Sequence, residues 1–386
     1  MYQQKLQPRK LPQQFPFQAR VFNKMIKSNL NKTCIINATI GLSMGFSILS
    51  LAAINFTPSS AAANEQVVNL YSFRQPFLIK PLLDEFTKQT NINVNVVFAK
   101  KGMLEKIRAA GNNNPADAVL TTDIGRLNAL SQAGVLKPIR SKILETNIPV
   151  NLRQKDGLWF ALTTRARVVF ASVDRVKPGE ITTLADLASP KAKGRVCLRS
   201  GKHAYNIALI ASVIANDGEK AAEKWLRGLK RNLARKPQGN DRAQAKAIYQ
   251  GQCDIALANT YYMGKMVTEK KKTEQNDWAK SIRVQFLDQK GRGQHVNISG
   301  AAVTKTAKHE KQAIKLLEFL SGKTAQSIYA AQNFEYPVNP SVKPSKLVQS
   351  WGDFKADSIA IEEIAKYRAA ASKLVDKVGF NDGPSS

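Results

Sequence analysis

VVNLYSFRQPFLIKPLLDEFTKQTNINVNVVFA, residues 67–99, changes its hydrophobic period twice. VVNLYSF is a β-branched and aromatic run of strand length. Ile79, Leu82, Leu83 and Phe86 then recur at i, i+3, i+4 and i+7, the spacing of one helix face. Ile92, Val94, Val96 and Phe98 fall at period two, which is a strand again. A helix over about residues 102–109 and the strand DAVLTTD, residues 117–123, follow. Strand, helix, strand, helix, strand predicts an α/β fold with a mixed, mostly parallel sheet flanked by helices.

Further along, GLWFALTTRARVVFAS, residues 157–172, drops the helical spacing for a long β-branched apolar run that suits a hinge strand joining two lobes. The second half repeats the first's logic. It has the strand GRVCLRS, a helix near residues 206–216, the helix KAAEKWLRGLK and the strand CDIALAN. GQHVNISGAAVT precedes a helix carrying Ala313, Leu316, Leu317 and Leu320, and a helical tail spans about residues 359–377. The expectation is two α/β lobes with a cleft between them.

The 386 residues suit two lobes of roughly 150 residues each behind a leader. No acidic residue precedes Glu65, and seven Lys and Arg precede the apolar run TCIINATIGLSMGFSILSLAAINF and the small residues SSAAAN. This is the pattern of a secretory signal over residues 1–63, with an uncleaved anchor as the alternative. Without those seven cations, 51 Lys and Arg face 29 Asp and Glu, a net +22. Such an excess fits nucleic acid, an anionic surface or an acidic partner. Yet basic runs such as TEKKKTE are interleaved with acids and lack the aromatic partners of nucleic-acid motifs, so a solvated basic surface is expected. Beyond the leader only Cys197 and Cys253 remain. In an oxidising compartment an isolated pair usually bridges, and two buried free thiols are the alternative.

Enzyme signatures fail. GLSMG, residues 41–45, fits G-x-S-x-G but lies inside the signal's apolar run. His309-Glu310 opens a zinc-binding string that position 313, an alanine, does not complete, and GRGQHV lacks the third glycine of a dinucleotide turn. The chain reads as a non-enzyme.

Ligands of open α/β sheets bind beyond the carboxyl ends of strands. Those ends carry Arg74 and Gln75, Asp123 and Gly125, Ser200, Gly201 and Lys202, and Asn259, Thr260, Tyr261 and Tyr262. Adjacent Tyr261 and Tyr262 either supply phenolate oxygens to a hard trivalent cation or pack and cover a rim. Ser200 to Lys202 offer backbone N–H groups and a cation to an anion. Asn240 is either a second anion contact or a helix cap.

Together NLYSFRQ, NNNPADAVLTTDIGRL, LWFALTTRARVV, CLRSGKHAYN, ARKPQGNDRAQ, CDIALANTYY, NISGAAVTKTAKH and EYPVNP resemble the periplasmic ferric iron-binding proteins of bacterial ABC importers, including the cyanobacterial iron-utilisation proteins. The likeness runs from about Val67 to the end. It implies a two-lobed periplasmic binding protein with lobes of residues 66–164 plus 296–345 and 165–295 plus 346–386. It also implies a monomer that closes on Fe³⁺, free or chelated, and delivers it to a membrane permease and its ATPase subunit. Under it Tyr261, Tyr262 and Asp123 are metal ligands. Arg74, Gln75, Ser200, Gly201, Lys202, Asn240 and Asn259 hold a synergistic anion such as carbonate or support the ligands. The same fold binding an organic or phosphate-like anion without iron is the alternative. Two positions depart from the family pattern. Gln75-Pro76 stand where members commonly carry His or His-Tyr, and Phe170-Ala171 stand where a third tyrosine is expected, leaving Tyr205, Tyr336, a chelator, carbonate or water to complete the shell.

Overall fold

The computed structural model describes residues 66–99 and 102–384; the leader, its cleavage site and Cys34 lie outside them. The described residues form nine strands: β1 (Val67–Ser72), β2 (Asn93–Phe98), β3 (Ala118–Thr121), β4 (Phe160–Ser172), β5 (Val196–Cys197), β6 (Ile255–Asn259), β7 (Ile282–Gln285), β8 (Val296–Val303) and β9 (Tyr336–Pro337). Their order is β2-β1-β3-β8-β4-β6-β5, with β7 and β9 also paired to β4.

The helix Pro76–Thr90 buries Ile79, Leu82, Leu83 and Phe86, the face its spacing foretold. Its neighbour β2 forms the sheet edge, so Val96 and Val97 stay exposed although the period is that of a strand. The tail consists of two helices, Ile361–Lys366 and Arg368–Val378. No helix among the described residues is long and apolar enough to cross a membrane.

Pairing is mixed rather than mostly parallel. β1 runs parallel to β2 and β3, and β5 to β6. β3–β8 and all four partners of β4 are antiparallel. The cause lies in the two long strands: β4 and β8 run back against the units that precede them, which an alternation of strands and helices does not reveal.

All 13 residues of β4 are buried. Its first half, Phe160 to Ala166, pairs with β8 and its second, Arg167 to Ala171, with β6. One strand therefore serves two sheets, and the change of partner falls between Ala166 and Arg167. Phe170 is wholly buried in the hydrophobic core on the second half, so this position supplies packing instead of a ligand.

Cys197, ending β5, and Cys253, just ahead of β6, are disulfide-bonded with Cα atoms 5.9 Å apart. The bridge fastens together the two parallel strands whose carboxyl ends carry Arg199 and Tyr261. In the chain-entropy view a closed loop of this length is worth about 4 kcal/mol. Replacing both cysteines by alanine should lower unfolding stability by about that much, read as a denaturant midpoint shift at unchanged slope. A loss below about 1 kcal/mol would show that the bridge does little for the fold.

Candidate metal centre

Thr260 separates β6 from the helix Tyr261–Val267, so the chain turns from strand to helix at the tyrosine pair. That turn is what lets neighbouring phenols share a side: their ring centroids lie 4.4 Å apart at 37°. Gly264, one turn on, packs where a Cβ would come within 2.4 Å of the Phe334 ring, so the helix can press onto that aromatic.

A third phenol joins them. Tyr205 lies in the first turn of the helix Ala204–Asp217, and its Oη is 3.0 Å from that of Tyr261. The hydroxyl of Tyr336, the other stand-in, is buried without a hydrogen-bond partner and its ring packs on Phe354. Tyr205 is one of the stand-ins named from the family pattern; its local sequence signal, a lone aromatic after a loop, is weak.

The floor beneath the phenols is a buried ion network. Asp241, wholly buried, accepts from Arg167 Nη1 at 2.8 Å, Arg199 Nη1 at 2.9 Å and the Asn259 amide at 3.0 Å. Arg167 also donates to Asn206 Oδ1 and Asn259 Oδ1. The guanidiniums of Arg199 and Arg167 lie 5.3 and 5.8 Å from the centre of the Tyr205 ring, and Lys265 Nζ lies 5.3 Å from that of Tyr261. A cation over a ring face is attracted to its π cloud. Arg165 and Arg167 were visible in sequence as charges two apart inside an apolar strand, a costly placement that calls for partners.

Burial, then Tyr205, Tyr262 and Asp241, raise the Tyr261 pKa well above its usual value. Burial, with Tyr205 and Asp241, pushes Tyr262 up to about 12, against Arg199 and a hydrogen bond from Tyr261. Both phenols are thus protonated at neutral pH, and only a strong positive charge would displace those protons. Among the described residues no group of three or more His, Cys, Asp and Glu could hold a metal.

The other expected residues are engaged elsewhere. Asp123 caps the helix Ile124–Gln132 through Gly125 N, accepts from Asn297 Nδ2 at 2.9 Å and pairs with Arg368 at 3.1 Å. Arg74 is buried in an ion pair with Glu335 at 2.8 Å and donates to Ser299 at 2.6 Å. Gln75 is exposed at the start of the helix Pro76–Thr90. Ser200 Oγ accepts from Lys202 N, Gly201 N donates to Asn381 Oδ1, and Lys202 Nζ reaches Asp376 and Ser372. Asn240 Oδ1 accepts from Ala243 N, which makes it the cap of the helix that positions Asp241. Asn259 Oδ1 accepts from Arg167.

Comparison with known proteins places this geometry. Residues 82–356 match the bacterial extracellular solute-binding protein family. Iron uptake protein A1 of Synechocystis is 43% identical over 317 residues, covering 82% of this chain and 88% of that protein. The open crystal structure of ferric iron-binding protein A from Mannheimia haemolytica superimposes with a TM-score of 0.78 at 47% identity, covering 82% of this chain and 99% of the other. The Trichodesmium protein IdiA (FutA), solved with iron and citrate, gives a TM-score of 0.79 at 43% identity over 81% of this chain and 99% of its own. The α/β architecture is that of two-lobed periplasmic ferric-binding proteins. The chain belongs to the bacterial extracellular solute-binding proteins, in the branch that holds the cyanobacterial iron uptake and ferric iron-binding proteins.

Proposed function

We propose that this protein is the extracytoplasmic, non-enzymatic subunit of an ABC importer. It captures ferric iron, free or chelated, through the phenolates of Tyr261, Tyr262 and Tyr205. In the periplasm it acts as a monomer and delivers the ion to a permease driven by an ATPase subunit. The observation that carries the reading is the convergence of three phenols, two with hydroxyls 3.0 Å apart, over a bed of guanidiniums. Phenolate is a hard anionic donor that suits a trivalent cation. The cations around it lower the cost of the negative charge that remains once protons leave.

Asp123 becomes a ligand in this proposal only if the Arg368 pair opens. A synergistic anion such as carbonate meets Arg199 and Lys265 more readily than the loop of Ser200 to Lys202, whose donors are spent on the tail. The lobes are proposed as residues 66–164 with 296–345 and 165–295 with 346–386, because β4 changes sheets at Ala166 and Arg167. The names of the relatives, which refer to iron uptake and ferric binding, support the cargo.

Titration of the purified protein with a ferric salt should give a visible phenolate-to-iron absorbance band that Tyr261→Phe/Tyr262→Phe abolishes and Tyr205→Phe weakens. No band in the wild type, with no iron by elemental analysis, would reject the assignment.

Proton release gives a second expectation. Because Tyr262 holds its proton to about 12 and the Tyr261 pKa lies well above its usual value, each phenol that ligates must lose a proton, so affinity rises with pH and falls on acidification. For the three displaced protons of this proposal the apparent affinity should change by about a thousandfold per pH unit between pH 6 and 8, measured by competition with a chelator of known protonation. A slope near zero would mean that the phenols do not ligate.

A further inference from the structure

Beside the phenols lies a cavity of about 420 Å³, within the range of small-molecule sites. Its walls include Phe73, Asp123, Arg126, Leu130, Ala204 and Arg368. Ala204 adjoins Tyr205, so one wall of the cavity abuts the phenol cluster without containing it.

Arg126 is the unexplained group on that wall. Its guanidinium carbon sits 4.4 Å over the Phe73 ring, and Nη1 donates to Thr122 Oγ1 at 3.2 Å. Among the described residues no carboxylate pairs with it. A half-buried guanidinium held flat by an aromatic face, with donors to spare, is preorganised for a planar anion. Across the cavity Arg368 touches Asp123 Oδ1 at 3.1 Å and the Ala204 carbonyl at 3.4 Å, two partners for a group with five N–H donors. Gly125 makes room for it, since a Cβ there would lie 2.1 Å from Arg368 Nε. The starts of the helices Ile124–Gln132, Ala204–Asp217 and Arg368–Val378 all border the space, adding positive potential. The two acids of the lining do not cancel it. Asp123 is spent on Arg368, Asn297 and Gly125, and Glu105 is exposed to solvent on the helix Met103–Ala110.

From this we infer that the cavity is a carboxylate site that holds the organic part of a ferric chelate, a small polycarboxylate gripped between Arg126 and Arg368, while the iron faces the phenols. A carboxylate that reaches Arg368 competes with Asp123 for it. Ligand entry therefore loosens the Asp123–Arg368 ion pair, which ties the start of the helix Ile124–Gln132 to the tail. The inference deepens the iron reading by naming the form in which the cargo arrives.

The test uses two ligands and two carriers. Calorimetry with metal-free citrate should show binding to the wild type, weakened about tenfold or more in Arg126→Gln and retained in Tyr261→Phe/Tyr262→Phe. Iron-phenolate absorbance is then followed with iron supplied as ferric citrate or as ferric acetohydroxamate, which carries no carboxylate. The ratio of apparent affinities, citrate over acetohydroxamate, should fall about tenfold in Arg126→Gln. Gly125→Ala, which displaces Arg368 without changing charge, should move both quantities the same way. Citrate binding that is equal in the wild type and Arg126→Gln would overturn the inference, as would citrate binding lost with the tyrosines. Citrate binding that depends on Arg126, in a protein with no iron-phenolate band from either carrier, would keep the carboxylate site and refute the iron reading.

Discussion

Arg167 joins every segment that the phenol cluster needs. It stands where β4 leaves β8 for β6, with its amide donating to the His295 carbonyl and its own carbonyl accepting from Gln294. Its guanidinium meets Asp241 on one helix, Asn206 on the helix of Tyr205 and Asn259 at the end of β6, just ahead of the tyrosines. A buried guanidinium left without its carboxylate costs about 3–5 kcal/mol. The network therefore tolerates one arrangement, and that arrangement sets the two strand ends and the helix start that present the three phenols.

Electrostatics around the cluster pulls two ways, and burial prevails. Arg165, Arg199 and Arg74 all favour a phenolate, yet desolvation ranks first for both Tyr261 and Tyr262 and their pKa values rise. The same desolvation leaves His203 neutral down to about 4 and His295 to about 3, helped by Arg199 and Arg167 beside the first and Arg167 and Arg292 beside the second. Each histidine has a depressed folded pKa, so each favours the native state above about 6.5 and opposes it as pH falls toward those values. The guanidiniums of Arg167 and Arg199 beside the phenols repel a trivalent cation, and Asp241, which both of them contact, offsets part of that charge. Tyr261 and Tyr262 carry negative charge only once their protons are displaced.

Much of this was legible in the sequence because it depends on local pattern. The helix face of Ile79, Leu82, Leu83 and Phe86, the buried strand across residues 160–172 and the strand-to-helix bend at Tyr261 all follow from periodicity over a few residues. What escaped depends on long-range pairing. In the sequence Tyr205 is only one of several groups that could replace a missing tyrosine, and nothing local announces that it reaches Tyr261 across 56 positions. The loop of Ser200 to Lys202 offers donors by type, but Asn381 and Asp376, nearly two hundred positions away, consume them. Arg74 looked like an anion donor at a strand end until Glu335, 261 positions on, became its partner. The direction of β4 and β8 was illegible for the same reason, since alternating elements do not say which strand turns back.

The consumption of those donors explains the role of the C-terminal tail. Lys202, Gly201 and Asp123 each spend a polar group on Asp376, Asn381 and Arg368, all of which lie beyond residue 360. The first two bind the tail to the loop that leads into the helix of Tyr205, while the third joins it to the helix Ile124–Gln132. One short terminal segment thereby spans residues on both sides of the change of sheets in β4. Exposed ion pairs such as that of Lys202 are weak individually, worth up to about 1 kcal/mol. The Asp123–Arg368 contact is different, because the carboxylate is buried and two further donors fix it. The tail is therefore fastened most firmly at that contact, on the side of β4's change of sheets that carries the helix Ile124–Gln132.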